Sequence, residues 1–233
     1  MTEPKIHIIT VAAGSGSRFG GPLPKQFCDL AGRPVLMHTI AALRRALPCA
    51  AHTLVLSQHD HDLWKSLCAT HGFMSPPVVY GGSTRFESVR NALVTVASDT
   101  DIVMVHDGAR PMPSPSMLAA LVAAFDDARC TGALPSLPLT DSVRHITPDG
   151  SVAVDRAAYC TVQTPQAFRF RALADAYAAA PAGVAFTDDA SVIEYTGNCY
   201  LSLVPGDRHN IKITNPGDID LAEFFLDKDR CSR

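Results

Sequence analysis

The chain has 233 residues, a formal net charge of −3, and a composition that is 47% hydrophobic and 18% charged, which argues against disorder and gives no support to a nucleic-acid binder working through a basic surface. That length suits one large domain, or one domain carrying an insertion, around a substantial core. The seven cysteines (Cys28, Cys49, Cys68, Cys130, Cys160, Cys199 and Cys231) contain no C-x-x-C pair, and no apolar run approaches the roughly 18 residues that span a bilayer, so a reducing, cytoplasmic setting without a membrane partner is expected.

Residues 6–11 are a β-branched apolar run that stops at Ala12-Ala13-Gly14, which predicts a buried strand opening into a loop. Apolar residues at helical spacing (Val35, Ile40, Leu43, Leu47) predict a helix over 34–47. A strand at 53–56, a helix over 60–71, a strand at 78–80, a helix over 85–96, a strand at 102–106 and a helix over 116–129 follow. Strands alternating with helices through short connections imply a doubly wound, mostly parallel α/β sheet with helices on both faces. Ligands of such sheets lie beyond the carboxyl ends of the strands, which singles out the loops after Val11 and Val105.

The stretch 138–158 breaks the alternation. Segments 143–146 and 152–155 flank Thr147-Pro148-Asp149-Gly150, a strong turn signal, so a β-hairpin inserted into a single domain over 1–233 is expected. The hairpin has too little apolar surface to form a core alone and must lean on something, a second subunit being a candidate. A strand near 160–163, a helix over 169–179, a helix opening at Asp188, a strand at 201–205 and a closing helix over 216–226 complete the chain.

The densest motif is Ala12-Ala13-Gly14-Ser15-Gly16-Ser17-Arg18-Phe19-Gly20, with Pro24-Lys25-Gln26 close behind. Glycines allow a tight turn that exposes amide N–H groups to phosphate oxygens, and Arg18 and Lys25 add charge for the same anion. The segment is not a P-loop, since no Gly-Lys-Ser/Thr follows, and not a dinucleotide fingerprint, since Phe19 stands where the third glycine belongs. An ordinary glycine turn is the competing reading; the added cations favour a triphosphate cradle. His59 and His61, at i and i+2, do not share a helix face and read as a solvated helix start. Cys160 has no paired base in the sequence and reads as a small core residue.

The pattern A-A-G-x-G-x-R-x-G followed by P-K-Q resembles the signature of sugar nucleotidyltransferases. Four more segments narrow it: His106-Asp107-Gly108-Ala109-Arg110-Pro111, Gln163-Thr164-Pro165-Gln166-Ala167-Phe168, Thr187-Asp188-Asp189-Ala190-Ser191 and Asn210-Ile211-Lys212-Ile213-Thr214. Together they are similar, over nearly the whole chain, to the 2-C-methyl-D-erythritol 4-phosphate cytidylyltransferase family of the non-mevalonate isoprenoid pathway. The resemblance implies a Rossmann-like nucleotidyltransferase fold, CTP and a sugar-alcohol phosphate as substrates, Mg²⁺ (or another divalent ion) as cofactor, and a homodimer joined through the hairpin arm at 138–158. It implies that Ala12, Ala13, Gly14, Ser15 and Gly16 hold the CTP phosphates, with Arg18, Lys25 and Lys212 as catalytic cations. Gly81, Gly82 and Ser88 match cytosine-recognising positions, with Ser88 on the ring carbonyl; a simple turn is the alternative for the two glycines. Asp107 matches the metal-binding aspartate, although it equally reads as the start of a turn. Arg110, Ser142, Arg156, Thr164 and Thr187 match residues around the acceptor; Thr187 also reads as a helix N-cap, and Ser142 and Arg156 would serve the partner's site. Three departures stand out: Val11 where proline is frequent, Gly108 where Ala or Ser is common, and 84–87, where the family varies.

The chemistry implied is in-line attack of the acceptor phosphate on the α-phosphorus of CTP. A phosphate with a second pKa of about 6 is already an anion, so no general base is needed, and catalysis rests on positioning and electrostatics. The rivals are a ribitol-5-phosphate cytidylyltransferase and a non-catalytic nucleotide-binding protein on the same fold.

Overall fold

The central strands of the computed structural model, which describes residues 3–14, 19–20, 23–181, 183–197 and 199–231, are buried almost without interruption. The strands in chain order are β1 (Ile6–Ala12), β2 (Asp29–Leu30), β3 (Arg33–Pro34), β4 (Ala51–Leu56), β5 (Val78–Tyr80), β6 (Ile102–Asp107), β7 (Gly132–Pro138), β8 (Arg144–Thr147), β9 (Gly150–Ala153), β10 (Cys160–Val162), β11 (Gln166–Arg169) and β12 (Leu201–Pro205). The helices are α1 (Val35–Ala46), α2 (His61–His71), α3 (Arg85–Leu93), α4 (Pro115–Ala123), α5 (Phe170–Ala179), α6 (Asp189–Tyr195) and α7 (Gly217–Cys231).

Successive side chains of a strand point to opposite faces. Ile9, Val55, Val103 and Val105 face a core shared with α3, α5 and α6. Ile8 and Met104 face α1 and α4, and Leu54 and Leu56 face α1 and α2. Both faces are covered, which is why these strands read as unbroken apolar runs. The main sheet runs β5-β4-β1-β6-β11-β7-β10, with β12 also paired to β7.

Its N-terminal half, β5-β4-β1-β6, is all parallel. The second half departs from the expected mostly parallel sheet: β11 is antiparallel to both β6 and β7, and β10 is antiparallel to β7, while β12 runs parallel to β7. Neither β7 nor β11 is foreseen from sequence. Proline cannot donate to a ladder and glycine weakens one, so β7, with Gly132, Pro135 and Pro138 in seven residues, does not look like a strand. Tertiary pairing on both edges overrides that bias. The helix expected over 116–129 ends at Ala123 and continues as a single 3₁₀ turn at Ala124–Asp126. The helix expected to reach residue 96 ends at Leu93.

β8 and β9 pair antiparallel in their own two-stranded sheet, and Ile146 and Val152 on them are 83% and 53% exposed. Cys160 is exposed at the start of β10, which corrects its reading as a core residue: its strand lies on the sheet edge, where only β7 covers it. Among the described residues no helix is long and apolar enough to cross a membrane.

A polar pair crosses the buried sheet between β1 and β4. Thr10 Oγ1 lies 2.7 Å from His52 Nε2, while His52 Nδ1 is buried without a partner. Burial, and then the positive charge of Arg44, push the His52 pKa down to about 3 from its ordinary 6.5. The unfolded chain therefore binds more protons in that window. This contribution to stability is full above about pH 6.5 and is lost as the pH falls toward about 3. Replacing His52 with Gln is expected to flatten the acid-side decline of Tm, by the equivalent of about 1–3 kcal/mol near pH 4.5. Thermal melts from neutral to acid pH check this; an unchanged slope would mean that His52 carries no linkage.

Candidate active site

Strand register brings the chemically rich loops level. Val11 pairs with Asp107, Ala12 with Leu56, and Leu56 with Tyr80, so the carboxyl ends of β1, β4, β5 and β6 open onto one crevice, where ligands of parallel sheets bind. The glycine loop leaves β1 there. The Gln26 amide donates to the carbonyls of Ala12 (2.9 Å) and Gly14 (3.2 Å). Gln26 is itself buried, so the Pro24-Lys25-Gln26 segment clamps the start of the loop and brings Lys25 to the crevice. Ser15, Gly16 and Arg18 lie outside the described residues.

Three glycines meet this region at distances that leave no room for a side chain. A Cβ on Gly81 would stand 2.6 Å from Ala13 Cβ and 2.7 Å from Ser88 Oγ; one on Gly108 would stand 2.9 Å from Ala12 Cβ. Gly108 thus lets β6 end against the glycine loop, and its departure from Ala or Ser has a steric reason. A Cβ on Gly82 would meet Glu87 Cβ at 2.3 Å. Ser88 is buried on α3; its hydroxyl donates to the Thr84 carbonyl (2.8 Å) and accepts from the Gly82 N–H (3.1 Å). Its proton goes to Thr84, and its oxygen holds the Gly82 end of the Gly81-Gly82 turn.

Asp107, at the end of β6, is the centre of a charge cluster. Lys212 Nζ lies 2.8 Å from its Oδ2, Arg85 Nε 3.6 Å from its Oδ1, and Arg110 Nε 3.8 Å from its Oδ2. Burial alone would raise the carboxyl pKa, but Arg85, Lys212 and Arg110 outweigh it and hold the group well below the usual carboxylate range. Arg110 NH1 donates to the Asn210 carbonyl (2.8 Å), while its buried Nε has no hydrogen-bond partner.

The Gln163–Phe168 and Asn210–Thr214 motifs are tied together, and that tie places Lys212. Gln163 Nε2 donates to the Asp207 carbonyl (2.8 Å) and its Oε1 accepts from the Asp207 N–H (3.0 Å). Buried Asn210 donates to the Thr164 carbonyl (2.8 Å). The Ile213 N–H reaches the Ala109 carbonyl (2.8 Å), and Asp218 on α7 accepts from the N–H groups of Thr214 and Asn215.

Thr164 adds a link from below. His106 Nε2 lies 3.1 Å from the Arg110 carbonyl, an acceptor only, so the ring proton sits on Nε2. Burial pushes the His106 pKa down to about 4, so the ring is neutral and its Nδ1 accepts from the Thr164 hydroxyl (3.1 Å). Thr164 Oγ1 in turn accepts from the Asp107 N–H (3.0 Å).

Two cavities meet at this cluster. One, of about 420 Å³, is lined by Ala12, Ala13, Gly14, Lys25, Gly82 and Ser88; the other, of about 240 Å³, by Arg110, Thr164, Gln166, Thr187 and Asp188. Arg85, Asp107 and Lys212 line both. Thr187 is not the N-cap: Asp188 caps α6 and forms a reciprocal capping box with Ser191, which leaves the exposed Thr187 to the cavity rim. Ser142 and Arg156 are exposed and line neither cavity; Arg156 bonds the Thr140 carbonyl instead. His59 and His61 contribute to no cluster, and among the described residues no group of three His, Cys, Asp or Glu could hold a metal.

Sequence reasoning missed Arg85, assigned to a variable stretch, and gave no role to Gln26 or Tyr177. The available signal for Arg85 was its place three residues before Ser88, which puts both on one helix face.

A family model described as IspD: 2-C-methyl-D-erythritol 4-phosphate cytidylyltransferase matches residues 6–228. The chain is 46% identical over 226 residues to the 2-C-methyl-D-erythritol 4-phosphate cytidylyltransferase of Porphyromonas gingivalis, covering 96% of this chain and 99% of that protein. Its fold is similar to a solved 4-diphosphocytidyl-2C-methyl-D-erythritol synthase from Anaerococcus prevotii (TM-score 0.81, 26% identity, 97% of this chain and 100% of that one). It is also similar to 2-C-methyl-D-erythritol 4-phosphate cytidylyltransferase from Thermus thermophilus (TM-score 0.72, 29% identity, 94% and 97%).

Because a Cβ at residue 81 pushes on both Ala13 and Ser88, Gly81→Ala is expected to weaken CTP binding about tenfold, equivalent to about 1.4 kcal/mol, while Tm moves by only a few degrees. Calorimetric CTP titration alongside a thermal melt checks this; wild-type affinity would mean that the turn yields freely.

Proposed function

This chain belongs to the 2-C-methyl-D-erythritol 4-phosphate cytidylyltransferase family, and from that premise we propose how its residues divide the work. The enzyme joins CTP to 2-C-methyl-D-erythritol 4-phosphate and releases pyrophosphate, in the non-mevalonate route to isoprenoid precursors. The larger cavity takes the nucleotide and the smaller one the acceptor. The observation that carries this division is the wall they share, Arg85, Asp107 and Lys212, where the two phosphates would meet.

In the nucleotide cavity the glycine loop (12–16) gives its amides to the triphosphate, and Arg18 and Lys25 supply charge. Gly81 and Gly82 form the turn against which the base lies, and Ser88 shapes that turn through its bonds to Thr84 and Gly82. In the acceptor cavity, the Arg110 guanidinium, whose Nε is turned toward Asp107, supplies positive charge for an incoming phosphate. Thr164, already donating to His106, has a lone pair left and accepts from an acceptor hydroxyl. Thr187 offers its hydroxyl from the rim.

The acceptor phosphate oxygen forms a bond to the α-phosphorus of CTP as the bond to the β-phosphate oxygen breaks. Lys212 neutralises charge where the two anions approach, and Lys25 and Arg18 stabilise the departing pyrophosphate. Asp107 is the residue proposed to hold Mg²⁺ or another divalent ion. One ionised carboxylate beside a phosphate-binding loop suits an ion that takes one or two carboxylates plus phosphate oxygens and water. Bound there, the ion would supply charge neutralisation for the triphosphate.

Ser142 and Arg156 stand outside both cavities of their own chain, which supports assigning them to the active site of a second copy, joined through the arm at 138–158. A cytoplasmic setting belongs to the same proposal, supported by a cysteine spacing that fits no disulfide framework.

Pyrophosphate release from CTP with Mg²⁺ tests the reading, with 2-C-methyl-D-erythritol 4-phosphate compared against ribitol 5-phosphate. Release with the former alone is expected; release with the latter alone would overturn the acceptor. Lys25→Ala and Lys212→Ala are each expected to keep the wild-type Tm and lose about 100-fold or more in kcat; near-normal turnover would remove them from the mechanism. Mixing inactive Lys212→Ala with inactive Arg156→Ala is expected to restore activity, to about a quarter of wild type for random two-fold dimers, because one mixed site is then intact. No restoration would return Arg156 to its own chain.

A further inference from the structure

The mechanism leaves Arg85 without a role, although it joins Asp107 to a second carboxylate, Asp189. It opens α3 directly after the cap Thr84 and is 31% exposed. Its NH2 lies 2.7 Å from Asp189 Oδ2, and its Nε lies 3.6 Å from Asp107 Oδ1. Asp189 is fully buried, and its other oxygen accepts from the Tyr177 hydroxyl at 2.6 Å. The neighbour of Arg85 on the same helix, Phe86, stacks on the Tyr177 ring with centroids 4.7 Å apart. The guanidinium is thus anchored from α6 and α5 while it faces the reaction wall.

The two oxygens of Asp107 are divided between different cations: Arg85 approaches Oδ1, while Lys212 and Arg110 approach Oδ2. Lys212 is exposed, on a flexible stem. When Lys212 turns from the carboxylate toward a phosphate, Arg85 remains on the other oxygen. An unpaired buried carboxylate such as Asp189 is strongly unfavourable, so Asp189 fixes where Arg85 stands, and Tyr177 fixes Asp189.

We propose that Arg85, anchored by Asp189 and Tyr177, is a positioning residue that holds the Asp107 carboxylate at the seam between the two cavities while Lys212 exchanges between that carboxylate and the substrates. The role deepens the functional reading above and rests on it. A fork that bridges two carboxylates is beyond lysine, whose ammonium is a single point charge. The charge at 3.6 Å acts by attraction, and contacts that are long in a ligand-free site commonly tighten in the loaded one.

The test must separate positioning from folding. The double variant Arg85→Met/Asp189→Asn removes both charges together, leaves the Tyr177 hydroxyl an acceptor on Asn, and is expected to melt within a few degrees of wild type. Its kcat is expected to fall about 30–100-fold, as for a misplacement of order 1 Å, while KM for CTP and for the acceptor each stay within about threefold. Arg85→Lys keeps the charge without the fork and is expected to lie between the two in kcat.

Near wild-type kcat in the folded double variant would overturn the proposal. So would a rise in KM at unchanged kcat, which would make Arg85 a substrate-binding residue. If the double variant fails to fold, Arg85→Lys decides: a reduced kcat at preserved Tm and KM upholds the role, and wild-type kcat overturns it. Absence of pyrophosphate release by the wild-type enzyme would instead sink the functional reading, before any variant is compared.

Discussion

An ionised carboxylate at the end of a buried strand is the constraint around which this molecule is arranged. Asp107 leaves β6 where the sheet is covered on both faces, and desolvation there opposes its charge. Three cations resolve the conflict, and each comes from a different part of the chain: Arg85 from α3, Arg110 from the turn after β6, and Lys212 from the loop before α7. Bringing them together draws in the rest. Asn210 and Gln163 hold the Lys212 loop, Asp189 holds Arg85, and His106 with Thr164 holds the backbone of Asp107 itself. Breaking any one of these ties leaves a buried polar group uncompensated, which is why so many of the buried polar residues lie around this one wall.

The two halves of the sheet contribute differently. The parallel half supplies aligned strand ends and therefore loops that open in one direction, a geometry suited to an extended nucleotide. The antiparallel half supplies a sharp break. Between β10 and β11 the chain crosses from the edge of β7 to the gap between β6 and β7, and the crossing residues Gln163 and Thr164 are driven into the space beneath Asp107 and against the Asn210 loop. A regular strand continued through this segment would turn alternate side chains away from the wall.

What was legible from sequence follows the same physics. Long apolar periods announced β1, β4, β6, α1 and α2 almost to their ends, because local pattern and burial agree there. The strands β7 and β11 were hidden, since Pro135 and Gly132 argue locally against a ladder that only distant partners enforce. Gln163–Phe168 was visible as a motif, with nothing to say that its second half paired on both edges. Among site residues, Lys25, Asp107 and Lys212 could be named because motif spacing carries them. Arg85 could not, since its meaning depends on Asp189, 104 positions away, and an ion pair between distant elements leaves no period in either. Cys160 was misread because an edge strand and a core strand look alike when only three residues long.

Helix α3 supports the Gly81-Gly82 turn, through Ser88, and places a guanidinium on the wall between the two cavities, through Arg85. Its aromatic stack on Tyr177 ties it to α5. A shift of α3 that moves the turn therefore also moves the charge beside Asp107. Thermodynamic linkage makes the relation mutual: whatever occupancy of one cavity does to affinity in its neighbour, occupancy of the neighbour does in equal measure in return. The strength of the coupling between the two cavities is thus a property that one short helix can set.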